Sequence, residues 1–102
     1  MESVVVVDFK CKEGMVEETG KLLREALVET RSFDGCNSIE VYFEENTMTY
    51  TLIEEWKSLE HYERYLQWRE DGGIADLLEP VLVGGLEGFK ASIKWLGAVS
   101  DI

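Results

Sequence analysis

The sequence predicts an α+β domain: a four-stranded antiparallel sheet with both helices on one face, in the order βαββαβ. Three observations predict it. Apolar residues alternate with period two in four short segments and recur with helical period in the segments between them. Turn signals (Lys12-Glu13-Gly14, Asp34-Gly35, Gly72-Gly73, Gly84-Gly85) fall at the joints. A length of 102 residues, 45% of them apolar and 11% aromatic, suits one globular domain over residues 1–102.

Residues 4–11 are a β-branched run, with Val5, Val7, Phe9 and Cys11 on one face and Val4, Val6, Asp8 and Lys10 on the other. Residues 15–31 follow as an amphipathic helix whose stripe is Met15, Thr19, Leu22, Leu23, Ala26, Leu27 and Thr30. Glu17 and Glu18 open it and Arg31 closes it, as the helix dipole prefers. Ile39, Val41 and Phe43 alternate with Ser38, Glu40 and Tyr42 in the second strand, and residues 44–47 read as a hairpin loop. In the third strand, residues 48–56, Met48, Tyr50, Leu52, Glu54 and Trp56 share one face. Thr49, Thr51, Ile53 and Glu55 take the other. Ser58 is the N-cap of a helix reaching Asp71. Residues 74–83 are expected to form a short helix with Leu77, Leu78, Val81 and Leu82 on its apolar side. The alternation of Phe89, Ala91, Ile93 and Trp95 with Lys90, Ser92 and Lys94 predicts the last strand.

Charge excludes several functions. Ten Lys or Arg against 21 Asp or Glu leave a net charge of −11, with a pI near 4.4. No basic face is available to displace phosphate counterions, so nucleic-acid binding is not expected. Docking on anionic membrane lipid is disfavoured for the same reason. The apolar run at residues 4–7 is too short for a signal or a membrane span. Two cysteines, Cys11 and Cys36, make no disulfide framework, and with His61 as the one histidine no zinc spacing exists. Neither GxGxxG nor GxxxxGK occurs. A reduced, cytoplasmic protein is expected, with no metal and no cofactor.

The second face of the sheet is also apolar in part: Val4, Val6, Tyr42, Ile53 and Leu96 fall there. A sheet with one solvated face alternates more strictly. The expectation is a homodimer packed sheet to sheet; the plainer alternative is that Val4 and Val6 are good strand formers.

Residues 58–71, SLEHYERYLQWRED, hold the candidate site. At helical spacing Arg69 falls in the middle of the apolar face, between Tyr62 and Tyr65. A cation there is paired, stacked on a ring, or snorkelled outward. Its stem then covers apolar surface while its head meets a carboxylate, or its head anchors a phenolate or carboxylate ligand. Glu54 poses the matching problem, because it shares a strand face with Leu52 and Trp56 and needs a cation or donors. Pairing of Glu54 with Arg69 beside Trp56 answers both. Trp56, Tyr62, Tyr65 and Trp68 offer enough flat surface to line a pocket for a small aromatic molecule, of roughly 300 Å³ or more. The same rings also suit plain core. His61, the one histidine, joins the expected pocket residues.

A strand, then Lys12-Glu13-Gly14 opening a helix, then Asp34-Gly35-Cys36, then Glu54-Glu55-Trp56-Lys57-Ser58 leading into a helix, resembles the antibiotic biosynthesis monooxygenase family, in its quinol monooxygenase-like subgroup, over residues 5–95. The resemblance implies a ferredoxin-like fold that dimerises through its sheets as a dimeric α/β barrel. It implies oxygenation of a quinol or polycyclic phenol without flavin, haem or metal: the substrate is deprotonated, its anion passes an electron to dioxygen, and the radical pair recombines. Trp56 matches the family tryptophan that borders the pocket. A family histidine nine residues later is replaced here by Tyr65, and a second one by the stretch Arg69-Glu70-Asp71. With that base missing, Tyr65, together with Arg69 or His61, has to replace it. Beside Trp56, the residues expected at the pocket are Tyr62, Trp68 and His61, with Arg69 steadying the substrate anion and Glu54 orienting Arg69 or accepting a proton. No histidine stands near Ala75, so haem degradation is not implied. Other classes compatible with the fold are a non-catalytic ligand-binding or stress-response dimer, and an isomerase or lyase on a small metabolite.

Overall fold

Alternation in the first segment becomes strand β1 (Ser3–Lys10), with Val5 and Val7 fully buried and Phe9 nearly so. This is seen in a computed structural model that describes residues 2–102, Met1 lying outside them. The chain continues through α1 (Val16–Ser32), β2 (Cys36–Glu44), β3 (Thr49–Trp56) and α2 (Leu59–Asp71). It ends with α3 (Ile74–Leu78), α4 (Gly85–Ser92) and β4 (Lys94–Gly97). The sheet is antiparallel in the order β2-β3-β1-β4, which is the ferredoxin-like arrangement. Helix α1 buries Thr19, Leu23, Leu27 and Thr30 from its predicted stripe. Ser58 caps α2 as expected, its hydroxyl accepting the His61 amide N–H at 3.2 Å. No helix among the described residues is long and apolar enough to cross a membrane.

The register of β3 fixes what faces the helices. Leu52 stands opposite Val7 and Val41, and Glu54 opposite Val5 and Ile39. Leu52, Glu54 and Trp56 are all buried, so no bulge turns Glu54 outward. On the opposite face Val6 pairs with Ile53 and Thr51 with Tyr42. Ile53, Tyr42 and Leu96 are exposed there.

The last third of the chain departs from the expectation. The residues predicted to begin the final strand form α4, and β4 starts only at Lys94. Phe89 and Ile93, four residues apart, satisfy a helical spacing as well as they satisfy alternation, and a short apolar run does not distinguish the two. The packing decides for the helix: Phe89 meets Phe9 with ring centroids 4.8 Å apart. Gly88 lies where a Cβ would strike the Val83 carbonyl. Likewise, the helix expected over 74–83 stops after Leu78. Pro80 has no amide to continue it, and the following residues pair with the end of β1, Val83 N–H donating to the Lys10 carbonyl at 2.9 Å.

The turn into β2 holds α2 in place. Gly35 has φ +92°, and an added Cβ would lie 2.5 Å from the His61 ring. Gly35→Ala is expected to cost about 1–3 kcal/mol, from left-handed strain and the displaced ring, read as a lowered urea midpoint with unchanged slope.

Candidate functional site

Strand alternation carries Glu54 into the interior, where it is 3% exposed. Its Oε1 accepts the Trp56 indole N–H at 2.9 Å. Two residues apart on one strand face, the two side chains are natural neighbours. No cation pairs with the group among the described residues. Burial raises the carboxyl from an ordinary 4.5 to about 7, against the lowering effect of the Trp56 bond. This is a carboxyl that exchanges its proton near neutral pH in apolar surroundings.

Arg69 does point inward among rings, but it meets partners other than Glu54. Its guanidinium carbon lies 4.7 Å from the Trp68 ring centre and 5.5 Å from that of Tyr65. Nε donates to the Tyr65 hydroxyl at 3.0 Å. Nη2 donates to the Ala26 carbonyl at 2.7 Å and to Thr30 Oγ1 at 3.0 Å. Nη1 comes within 3.7 Å of the exposed Glu29 carboxylate. The expected Glu54–Arg69 ion pair is absent among the described residues, because Arg69 stands on the side of α2 that faces α1. Its donors tie α2 to α1. They do not orient Glu54.

The tyrosines are neutral. Tyr65 shares a 2.7 Å hydrogen bond with Thr30 Oγ1 besides the one from Arg69, yet its hydroxyl is held above the ordinary 10.0 because burial outweighs both bonds. Burial, then the charge of Glu54, then Tyr65, holds Tyr62 well above its ordinary value. Neither hydroxyl is shifted toward ionisation.

Glu54, Tyr62, Tyr65 and Arg69 line one internal cavity with Leu52 and Phe89 among its apolar walls. Its volume is about 40 Å³, far below the two-ring pocket expected. Water fits it; a substrate does not. Trp56 is fully buried behind this cavity, its ring 5.4 Å from Tyr62 and 5.2 Å from Tyr65. Trp68 sits on the outside, 41% exposed. His61 lies away from the cavity: Nδ1 shares a 2.6 Å hydrogen bond with Ser58 Oγ and Nε2 is 3.9 Å from Asp34 Oδ2. Outside the cavity, a groove of about 680 Å³ runs between α1 and α3. Leu22, Ala26, Arg69 and Ile74 are walls of both spaces.

Sequence reasoning missed the α1 partners, Thr30 and the Ala26 carbonyl, and Phe33, whose ring lies 5.3 Å from those of Tyr65 and Trp68. The one available signal was Thr30 on the buried stripe of α1: a hydroxyl there needs a partner. No group of His, Cys, Asp and Glu among the described residues is arranged to hold a metal ion.

Residues 3–70 match the family model described as antibiotic biosynthesis monooxygenase. Among solved structures the chain is similar to PA3566 from Pseudomonas aeruginosa at 17% identity and TM-score 0.72, over 97% of this chain and 95% of that one. It is similar to Rv0793 from Mycobacterium tuberculosis at 19% identity and TM-score 0.69, over 99% and 98%. A conserved protein from Methanosarcina mazei Go1 is 26% identical with TM-score 0.69, over 80% and 82%. Among curated proteins none matches.

Proposed function

This chain belongs to the antibiotic biosynthesis monooxygenase family, and on that premise we propose that it is a cofactor-independent monooxygenase of a quinol or polycyclic phenol, with Glu54 as proton acceptor. One observation carries the reading: a buried carboxylate without a cation faces an apolar cavity walled by two neutral tyrosines. A purely structural carboxylate at such a site is paired.

Glu54 takes the proton of a ring hydroxyl. The resulting phenolate gives one electron to dioxygen, leaving a ring radical and superoxide, which combine at a ring carbon ortho or para to that oxygen as a peroxide. Glu54 returns its proton to the peroxide, and cleavage of the O–O bond leaves one oxygen as a new carbonyl on that carbon. The other departs as water, carrying the returned proton and the one hydrogen of that carbon, so that phenol and dioxygen give a quinone and water. Trp56 holds the carboxylate in position, and Tyr62 supplies a neutral hydroxyl at the cavity wall for the developing negative charge. Arg69 and Tyr65 close the site against α1, and Trp68 shields Arg69 from outside. Oxygen uptake tests the reading: metal-free protein accelerates uptake by a naphthohydroquinone above the buffer rate, or the reading falls. The small cavity favours one second reading, a non-catalytic ligand-binding module, which the same assay separates.

The functional unit we propose is a homodimer joined through the outer sheet face, whose exposed Ile53 and Tyr42 support it. Sedimentation is expected to give a dimer at micromolar concentration and a monomer for Ile53→Lys. The two free cysteines, one of them buried, support a reduced, cytoplasmic setting.

A further inference from the structure

The reading just given, that the reacting ring is seated beside Glu54, leaves a question of space. An interior of about 40 Å³ is smaller than the cavity of about 150 Å³ that holds a single benzene ring. Its outer wall is thin, however. Leu22, Ala26, Arg69 and Ile74 face the interior on one side and the groove of about 680 Å³ on the other. They form a partition one side chain deep, and the hydrogen bonds from Arg69 to α1 are the polar link across it. A ligand that parts these side chains occupies both spaces at once.

The groove sets the chemistry of whatever part of that ligand stays outside. Its floor continues the partition with Leu77, Pro80 and Val81, and Leu77 is 56% exposed with nothing over it. Its rim carries Glu18, Glu25 and Glu29 against Lys21. An apolar floor under an acidic rim accepts an uncharged hydrocarbon and repels a carboxylate or phosphate. We propose that the α1–α3 groove is a second subsite, which takes an uncharged hydrocarbon chain of the phenol whose ring sits beside Glu54. The substrate class is then a chain-bearing phenol or hydroquinone, admitted past Arg69, and not a bare or anionic ring.

Calorimetric titration with 2-naphthol and with 6-hexyl-2-naphthol tests this. The hexyl compound is expected to bind wild-type protein at least tenfold more tightly. Leu77 lines the groove but not the interior. Leu77→Glu is expected to erase that gain while leaving 2-naphthol unchanged, and Leu77→Ala to erase part of it, with circular dichroism checking that both variants fold. Equal affinity for the two compounds, or a gain that survives Leu77→Glu, overturns the subsite and leaves the Glu54 reading standing. If neither compound binds, both readings fall.

Discussion

Glu54→Gln is expected to lower oxygen uptake by roughly 10²–10⁴-fold, the usual contribution of a positioned proton acceptor. The amide keeps the shape, and its carbonyl oxygen still accepts from the Trp56 indole, so the loss isolates the proton transfer. In wild-type protein the rate rises as pH passes through about 7, where burial has placed the carboxyl; in the variant that rise disappears. Stability moves the other way. A folded-state value raised from 4.5 to about 7 means that folding favours the protonated acid. Its contribution is fully present below pH 4.5 and is lost as pH climbs through 7, about 3 kcal/mol in all. Glu54→Gln removes that dependence. At pH 8 the variant is expected to melt higher than wild type while turning over far less. A carboxylate serving only as framework would show neither the lost rate nor the lost pH profile.

Glu54 was legible because period two is strict: with Leu52 and Trp56 inward, residue 54 has to follow them unless a bulge intervenes. Arg69 was legible as inward by the same logic applied to period 3.6. The pairing of the two was not, because periodicity reports which face a side chain leaves from and not which neighbouring element it reaches. Helix α2 turns Arg69 toward α1, whose backbone carbonyl at Ala26 carries no signal in the side-chain pattern. The final strand failed for a related reason. Phe89 and Ile93 satisfy both periods, and the competition is settled by the ring of Phe9 against Phe89. Cavity size was beyond reach, since the aromatic residues that can wall a pocket can also fill it. Tyr62 and Tyr65 do both, packing ring on ring with Trp56 behind them while leaving water-sized space beside Glu54.

Arg69→Ala is expected to cost about 2–4 kcal/mol, the largest stability loss foreseen for any single residue of the site. Its side chain is only 14% exposed. Charge-assisted bonds to Tyr65, Ala26 and Thr30 are each worth about 1.5–3 kcal/mol, but they share one donor group and one network and do not add. The contact with exposed Glu29 contributes little. Arg69→Lys is expected to recover less than half of the loss, because a single ammonium does not span the Tyr65 hydroxyl and two α1 oxygens in the way a planar fork does. Hydrogen exchange locates the effect: the amides of residues 26–30 and 65–69 open faster in Arg69→Ala, while β1 and β3 keep their protection. Kinetics then separate two roles. If Arg69 closes the site, Arg69→Ala binds 2-naphthol with a faster on-rate, and its residual oxygen uptake keeps the wild-type pH midpoint, since Glu54 is untouched. If Arg69 instead steadies the substrate anion directly, the on-rate stays as it was and the rate of oxygen uptake at saturating substrate falls. Its donors are already directed at α1 and Tyr65, so the first outcome is the one expected: a bolt between two helices, with the chemistry left to the carboxylate beneath it.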